Sequence, residues 1–270
     1  MNNSDMIISK NNQYVKLAKS LMNRKYREKQ NLFILEGVRL IEEAVAAGIK
    51  LEFILYCSRL CSSGRGARLL EKITELGVST FLVEEKIFED LADTENPQGI
   101  VAAAQMTKSR FADIKTKEDN LVMLIDGVQD PGNLGTMIRT ACAAGVSGII
   151  LTKGTVDLFN PKVVRASMGT MFNIPVVSAV DDQEIVNYLK KNRFRLLIAD
   201  VAGEKFYFDV DVDGPLVWGL GNEANGPRTF FMEQADEIVK IPLVGKAESL
   251  NVAVAAGILL YDTVRRRGVL

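Results

Sequence analysis

The chain has 270 residues, of which 47% are hydrophobic and 25% charged, with 33 basic and 34 acidic side chains; this is a globular composition, long enough for one large domain or two ordinary ones. No stretch approaches the roughly 20 consecutive apolar residues that span a bilayer, and the polar start lacks a signal-peptide apolar region, so a cytoplasmic protein with no membrane partner is expected. With no histidine and only Cys57, Cys61 and Cys142 as cysteines, serine–histidine catalysis, histidine bases and histidine-ligated zinc are excluded, and neither a disulfide framework nor a metal site is expected.

The first predicted element is a helix over 11–29, where Tyr14, Leu17, Ala18, Leu21 and Met22 form one apolar stripe at helical spacing. Residues 1–30 carry seven basic side chains (Lys10, Lys16, Lys19, Arg24, Lys25, Arg27 and Lys29) against two acidic ones, while the rest carries 26 against 32. That asymmetry reads equally as a local phosphate-binding surface or as an ordinary solvated helix face. Strand 32–37, helix 38–47, strand 51–57, a Gly/Ser loop at 62–66, a helix to Leu76, strand 80–83, a short helix at 87–91 and strand 100–104 come next. This alternation predicts a small α/β domain over 1–106. Residues 107–119 are polar and aperiodic and read as a linker to a second domain over 120–270.

In that second domain the predicted strands are 121–126, 148–152, 174–177, 195–201, 216–220 and 238–242, with helices at 134–144, 162–168, 184–191 and 250–267. Strand cores such as LVMLI and RLLIA are apolar on both faces, which favours a mostly parallel, doubly covered sheet. Ligands of such sheets sit beyond the carboxyl ends of the strands. Three turns rich in small residues fall there. In the first, Pro131-Gly132-Asn133 precedes a helix, Asn133 reads as its N-cap, and Arg139 lies in that helix. The second, Gly219 to Pro227, holds Gly221, Asn222 and Glu223 among residues that let backbone approach a ligand closely. The third runs from Ile241 through Gly245 to Ser249, Leu250 and Asn251, with Ser249 as the expected cap of the last helix. The second turn is not a dinucleotide fingerprint, because its spacing is not G-x-G-x-x-G and Pro227 comes at once after it.

The order Asn133-x-Gly135-x-x-x-Arg139, then Gly221-Asn-Glu-x-x-Gly226, then Ile241-Pro-x-x-Gly-x-x-x-Ser249-Leu250-Asn251-Val-Ala-Val-Ala resembles the three motifs of the SpoU, or TrmH-type, RNA ribose methyltransferases. The stretch 160–169, which contains Arg165, is similar to the family's sequence between its first two motifs, and FILEG at 33–37 is similar, more loosely, to the substrate-binding domain of its ribosomal-RNA branch. The resemblance implies an L30e-like N-terminal domain and a SPOUT catalytic domain with a deep C-terminal trefoil knot. It also implies a homodimer, S-adenosylmethionine as methyl donor, and RNA as partner, ribosomal in preference to transfer RNA. Gly219, Gly221, Asn222, Ile241 and Leu250 then match the cofactor site; Asn133, Arg139, Glu223, Ser249 and Asn251 match the catalytic and substrate-contacting set. Arg165 joins the basic residues of the N-terminus as an RNA contact.

A guanidinium is a poor base, so Arg139 is expected to hold a neighbouring phosphate and stabilise the developing alkoxide, the proton leaving to that phosphate or to water. Asn133, Ser249 and Asn251 are expected to orient the ribose, and Glu223 to organise Arg139 or the amide network. A nucleotide-cofactor enzyme and a non-catalytic RNA-binding protein are the competing classes; the first lacks a phosphate fingerprint, and the second would be expected to lack Asn133 or Arg139.

Overall fold

The computed structural model describes residues 6–115 and 118–268; residues 1–5 of the polar start and 116–117 of the expected linker lie outside them. By contacts the chain divides into two units, residues 1–107 with 159–172, and residues 108–158 with 173–270. The sequence expectation placed 159–172 with the second domain, whereas its contacts group it with the first. Among the described residues no helix is long and apolar enough to cross a membrane.

In the first unit the expected helix over 11–29 is two helices, Gln13–Ser20 and Arg24–Gln30. Asn23 breaks it: its backbone is extended and its side chain accepts from the Lys25 N–H, which caps a new helix. Arg27 holds the joint. Its guanidinium is buried and donates to the carbonyls of Leu21 and Met22, both at 2.8 Å, just where the first helix leaves them unpaired. Strands β1 (Leu32–Glu36), β2 (Leu51–Tyr56), β3 (Ser79–Leu82) and β4 (Ile100–Gln105) form a mixed sheet in the order β1-β4-β2-β3. Val15, Ala18 and Leu21 pack on Phe53, Leu55 and Val101, one core under the apolar stripe. The predicted Gly/Ser loop is shorter than expected, since Ser63 caps a helix that already starts at Gly64.

The second unit holds β5 (Leu121–Ile125), β6 (Gly148–Thr152), β7 (Val176–Val180), β8 (Arg195–Ala199), β9 (Lys205–Phe206), β10 (Leu216–Leu220) and β11 (Glu237–Lys240). They form one sheet, β7-β6-β5-β10-β8-β11-β9, and every pairing is parallel. The expected doubly covered parallel sheet is what the apolar strand cores build. The two-residue strand β9 and the helix Thr229–Gln234 had no periodic signal strong enough to predict them. On one face Trp218 is buried and its Nε1–H donates to Thr263 Oγ1 at 2.9 Å. That hydroxyl in turn donates to Leu259 O, four residues back in the helix Val252–Arg266. Thr263→Val therefore leaves the indole N–H without an acceptor in a dry site, and we expect a loss of about 1–3 kcal/mol in a denaturant melt.

Strand register brings three of the carboxyl ends level. Leu220 pairs with both Ile125 and Ala199, so β5, β10 and β8 end together and their turns emerge side by side.

Candidate active site

The helix after β5 starts at Pro131, three residues earlier than the sequence predicts, because Asp130 is its N-cap and proline suits the first helical position. Asn133 is therefore not a cap. Its backbone N–H bonds to Asp130 Oδ1 at 2.7 Å, which leaves its side chain for other partners. The last helix is likewise capped by Asn251, whose Oδ1 accepts from the N–H groups of Ala253 and Val254, rather than by Ser249.

Asn133 and the capping Asn251 meet. Asn133 Nδ2 donates to Glu223 Oε1 at 3.0 Å, and Asn251 Nδ2 donates to Asn133 Oδ1 at 2.8 Å. Glu223 also accepts from the backbone N–H groups of Gln129 and Asp130 at 3.2 and 3.1 Å. The direction of this line is fixed at both ends. An ionised carboxylate only accepts, and the helix amides only donate, so each asparagine has one way round. One hydrogen-bonded line thus runs through all three turns.

Partial burial works to raise the Glu223 pKa, but the Asn133 amide and the neighbouring backbone N–H groups outweigh it and hold the carboxyl below the usual carboxylate range. A depressed carboxylate stabilises the fold above its unfolded pKa, about 4.3, and that contribution disappears as pH falls through the lower folded value. Wild type and Glu223→Gln are thus expected to differ in melting temperature by a constant amount above about pH 5 and to converge as the pH falls through the lower folded value. The difference is at most about 1 kcal/mol, because Glu223 is solvent-exposed and screened. A gap that persists unchanged into acid would remove the charge from this account.

Beside this line lies a cleft of about 580 Å³, bounded by the ends of β8 and β10, the turn 221–227 and the segment from Ile241 to Ala255. Gly221, Asn222, Glu223, Ile241, Ser249 and Leu250 all line it. Gly219 does not: it sits within β10, between Leu124 and Ile198. A Cβ on Gly221 would lie 2.0 Å from the Pro227 nitrogen, so the turn folds back on itself in a way that only glycine permits. The turn is closed by reciprocal backbone bonds between Asn222 and Gly226. The volume suits a nucleoside-sized ligand. Its walls offer apolar contact from Leu220, Leu243 and Leu250, with Asp200 and Glu248 as charged neighbours. A nucleoside bearing a cationic sulfonium fits that donor set. Asp200 and Leu220 follow from the strand-end rule applied to β8 and β10; nothing in the periodicity marks Leu243 or Glu248.

Arg139 does not join the cleft of its own chain. It is exposed on the helix Pro131–Ala143 and has no side-chain partner among the described residues. Two expected RNA contacts are used inside the fold instead. Arg27 is buried at the helix joint, and Arg165 pairs with Asp93 at 2.6 Å and with Glu36 at 3.8 Å. Lys10 pairs with Asp90, and Arg24 with Glu28. Lys16, Lys19, Lys25 and Lys29 are exposed.

The sequence pattern described as the SpoU rRNA Methylase family matches residues 120–261, and that of the MRM3-like substrate binding domain matches residues 12–102. The Bacillus subtilis 23S rRNA (guanosine(2553)-2'-O)-methyltransferase RlmP is 37% identical over 94% of this chain and 97% of its own. A Streptomyces viridochromogenes 23S rRNA (uridine(2479)-2'-O)-methyltransferase is 31% identical over 97% of this chain and 92% of its own. An AdoMet-bound rRNA methyltransferase from Sinorhizobium meliloti has a similar structure, with a TM-score of 0.87, 32% identity and 97% of each chain covered. With that pattern spanning more than half of its length and full-length relatives above 30% identity, this chain belongs to the SpoU rRNA methylase family.

Proposed function

We propose that the chain transfers the methyl group of S-adenosylmethionine to a ribose 2′-hydroxyl of ribosomal RNA. The observation that carries this is the hydrogen-bonded line from Asn251 through Asn133 to Glu223, set along a cleft one wall of which depends on Gly221. The cofactor supplies an electrophilic methyl on a sulfonium, which is already a good leaving group. What the chain must do is hold and orient. The turn 221–227 and the segment from Ile241 to Leu250 would cradle the nucleoside and amino-acid parts. Asn133 and Ser249 stand ready to bind ribose hydroxyls, and Glu223 fixes Asn133 so that its amide need not reorganise as the hydroxyl approaches. Arg139 would bind the phosphate next to the target and stabilise the alkoxide as its proton leaves to that phosphate or to water.

The exposure of Arg139 outside its own cleft supports a homodimer, in which one chain supplies what the other lacks. So do Val254 and Tyr261, both more than a third exposed on the last helix. The late insertion of β10 between β5 and β8, before the last helix returns to pack along the helix Pro131–Ala143, supports the trefoil knot that the family resemblance implies. Residues 1–106 would bind the RNA through Lys16, Lys19, Lys25 and Lys29, and residues 120–270 would carry the chemistry in the cytoplasm.

The decisive experiment is a map of 2′-O-methylation in total RNA with and without the gene, paired with titration of the purified protein by S-adenosylmethionine and by NAD. One ribosomal-RNA ribose losing its methyl group, and binding of the sulfonium cofactor alone, is the expected result. A site lost from transfer RNA instead would move the substrate. No lost site, together with binding of NAD, would overturn the reading.

A further inference from the structure

Asp126 comes directly after β5 and is only 2% exposed. A carboxylate so placed is expensive unless fully partnered. Its Oδ1 accepts from Thr152 Oγ1 at 2.9 Å and from Arg228 Nε at 2.7 Å, and its Oδ2 accepts from the Arg228 backbone N–H at 2.8 Å. The far end of the same guanidinium forms a two-bond fork on Asp182, at 2.8 and 2.9 Å, and lies over the Phe231 ring at 5.2 Å. Both ends of the Arg228 guanidinium are thus held, by two acids from separate elements.

A brace of this kind often serves the fold alone. Its place in the chain says more. Arg228 comes directly after the turn 221–227, and Asp126 directly before the segment 127–130 whose amides hold Glu223. Asn222 Nδ2 donates to Gly127 O at 2.8 Å across the same gap. The turn 221–227 closes on itself through Asn222 and Gly226, so it moves as one piece hinged at its ends. The ion pair therefore pins the free end of that piece to the root of the opposing segment. Where Arg228 goes, Gly221 and Glu223 go too.

We propose that Arg228, gripped between Asp126 and Asp182, is a positioning residue that sets the height of the 221–227 turn over the cleft and so tunes cofactor affinity. This rests on the methyltransferase reading of the cleft. Asp126 supplies the buried anchor. Asp182, in the first turn of the helix Asp182–Lys191, orients the outer half of the guanidinium without touching the turn. Lysine cannot replace the arginine, because a single ammonium cannot reach both acids and the ring plane at once.

The test compares Arg228→Lys, Asp182→Asn and Asp182→Glu with wild type. The measurements are melting temperature, the S-adenosylmethionine dissociation constant by titration calorimetry, the split between KM and kcat, and hydrogen exchange of the 222–226 amides in the ligand-free protein. Arg228→Lys is expected to weaken cofactor binding about 10- to 100-fold, and Asp182→Asn about 3- to 10-fold, with kcat recovered at saturating cofactor. Exchange at 222–226 should quicken in the same order, and Asp182→Glu should restore both readouts. If Arg228→Lys folds and shows wild-type affinity and exchange, the proposal fails. If it does not fold, Asp182→Asn decides by the same readouts: a lower melting temperature with unchanged affinity and exchange would leave only a fold brace and overturn the positioning role. A wild-type protein that binds no S-adenosylmethionine would sink the methyltransferase reading instead, and the exchange data would still test the brace.

Discussion

Gly221→Ala should weaken S-adenosylmethionine binding by about 100-fold or more while leaving the protein folded. The reason is purely spatial. The added methyl would stand 2.0 Å from the Pro227 nitrogen, 2.2 Å from the Gly226 carbonyl carbon and 2.4 Å from the Pro227 Cα, all of them backbone atoms. A flexible side chain could swing aside, but a closed turn held by two reciprocal backbone bonds cannot. The turn has to open by more than an ångström, and overpacking of that order costs about 1–3 kcal/mol. Because the turn forms one wall of the cleft, the displacement falls directly on the ligand. Gly245→Ala is the matched control: it lies between Ile241 and Ser249, yet nothing stands within 4 Å of its added methyl. Calorimetric titration should show near-normal binding for Gly245→Ala and almost none for Gly221→Ala. Equal affinities would mean that the closed turn does not shape the cofactor site.

That distinction between two glycines marks how far the sequence could be read. Parallel strands apolar on both faces gave the sheet type, and the strand-end rule brought the three turns to one side. The pattern of small residues could not tell Gly219, which packs inside β10 against Ile198, from Gly221, which a folded-back turn requires. That depends on where Pro227, six residues along the chain, returns in space. The expected caps were misplaced by three residues and by two for a similar reason. Asn133 and Ser249 are good capping types, but Asp130 and Asn251 stand where Pro131 and Val252 actually start the helices. Their displacement is what frees Asn133 to bridge Asn251 and Glu223, a long-range line that no local propensity encodes. Charge counting failed where pairing intervened. Arg27 and Arg165 look like any other cation in the sequence, and only the fold shows that carbonyls or carboxylates already occupy them.

Arg139→Ala is expected to lower kcat/KM for RNA by about 100- to 10,000-fold with the cofactor dissociation constant unchanged. Arg139 lies six residues beyond Asn133 on the same helix, which places it about 9 Å along the axis and about 120° around it. It therefore cannot share the face that carries the Asn133–Glu223 line. Its lack of a side-chain partner among the described residues means that its removal costs the fold little, so a loss of activity reports on substrate. Arg139→Lys keeps the charge but not the fork that grips two phosphate oxygens, and it should recover only a small part of the lost rate. Near-full activity in the lysine variant would reduce the role to a point charge. The geometry also makes a stronger demand. If Arg139 reaches the cleft of a second copy, then Arg139→Ala and Gly221→Ala, each inactive alone, damage different halves of a shared site. Refolding the two variants together should restore activity, since mixed dimers place an intact Arg139 from one chain beside an intact Gly221 turn of the other. No recovery in a mixture proven to contain mixed dimers would confine Arg139 to its own chain, and a movement of that helix would then be needed to bring it to the ribose.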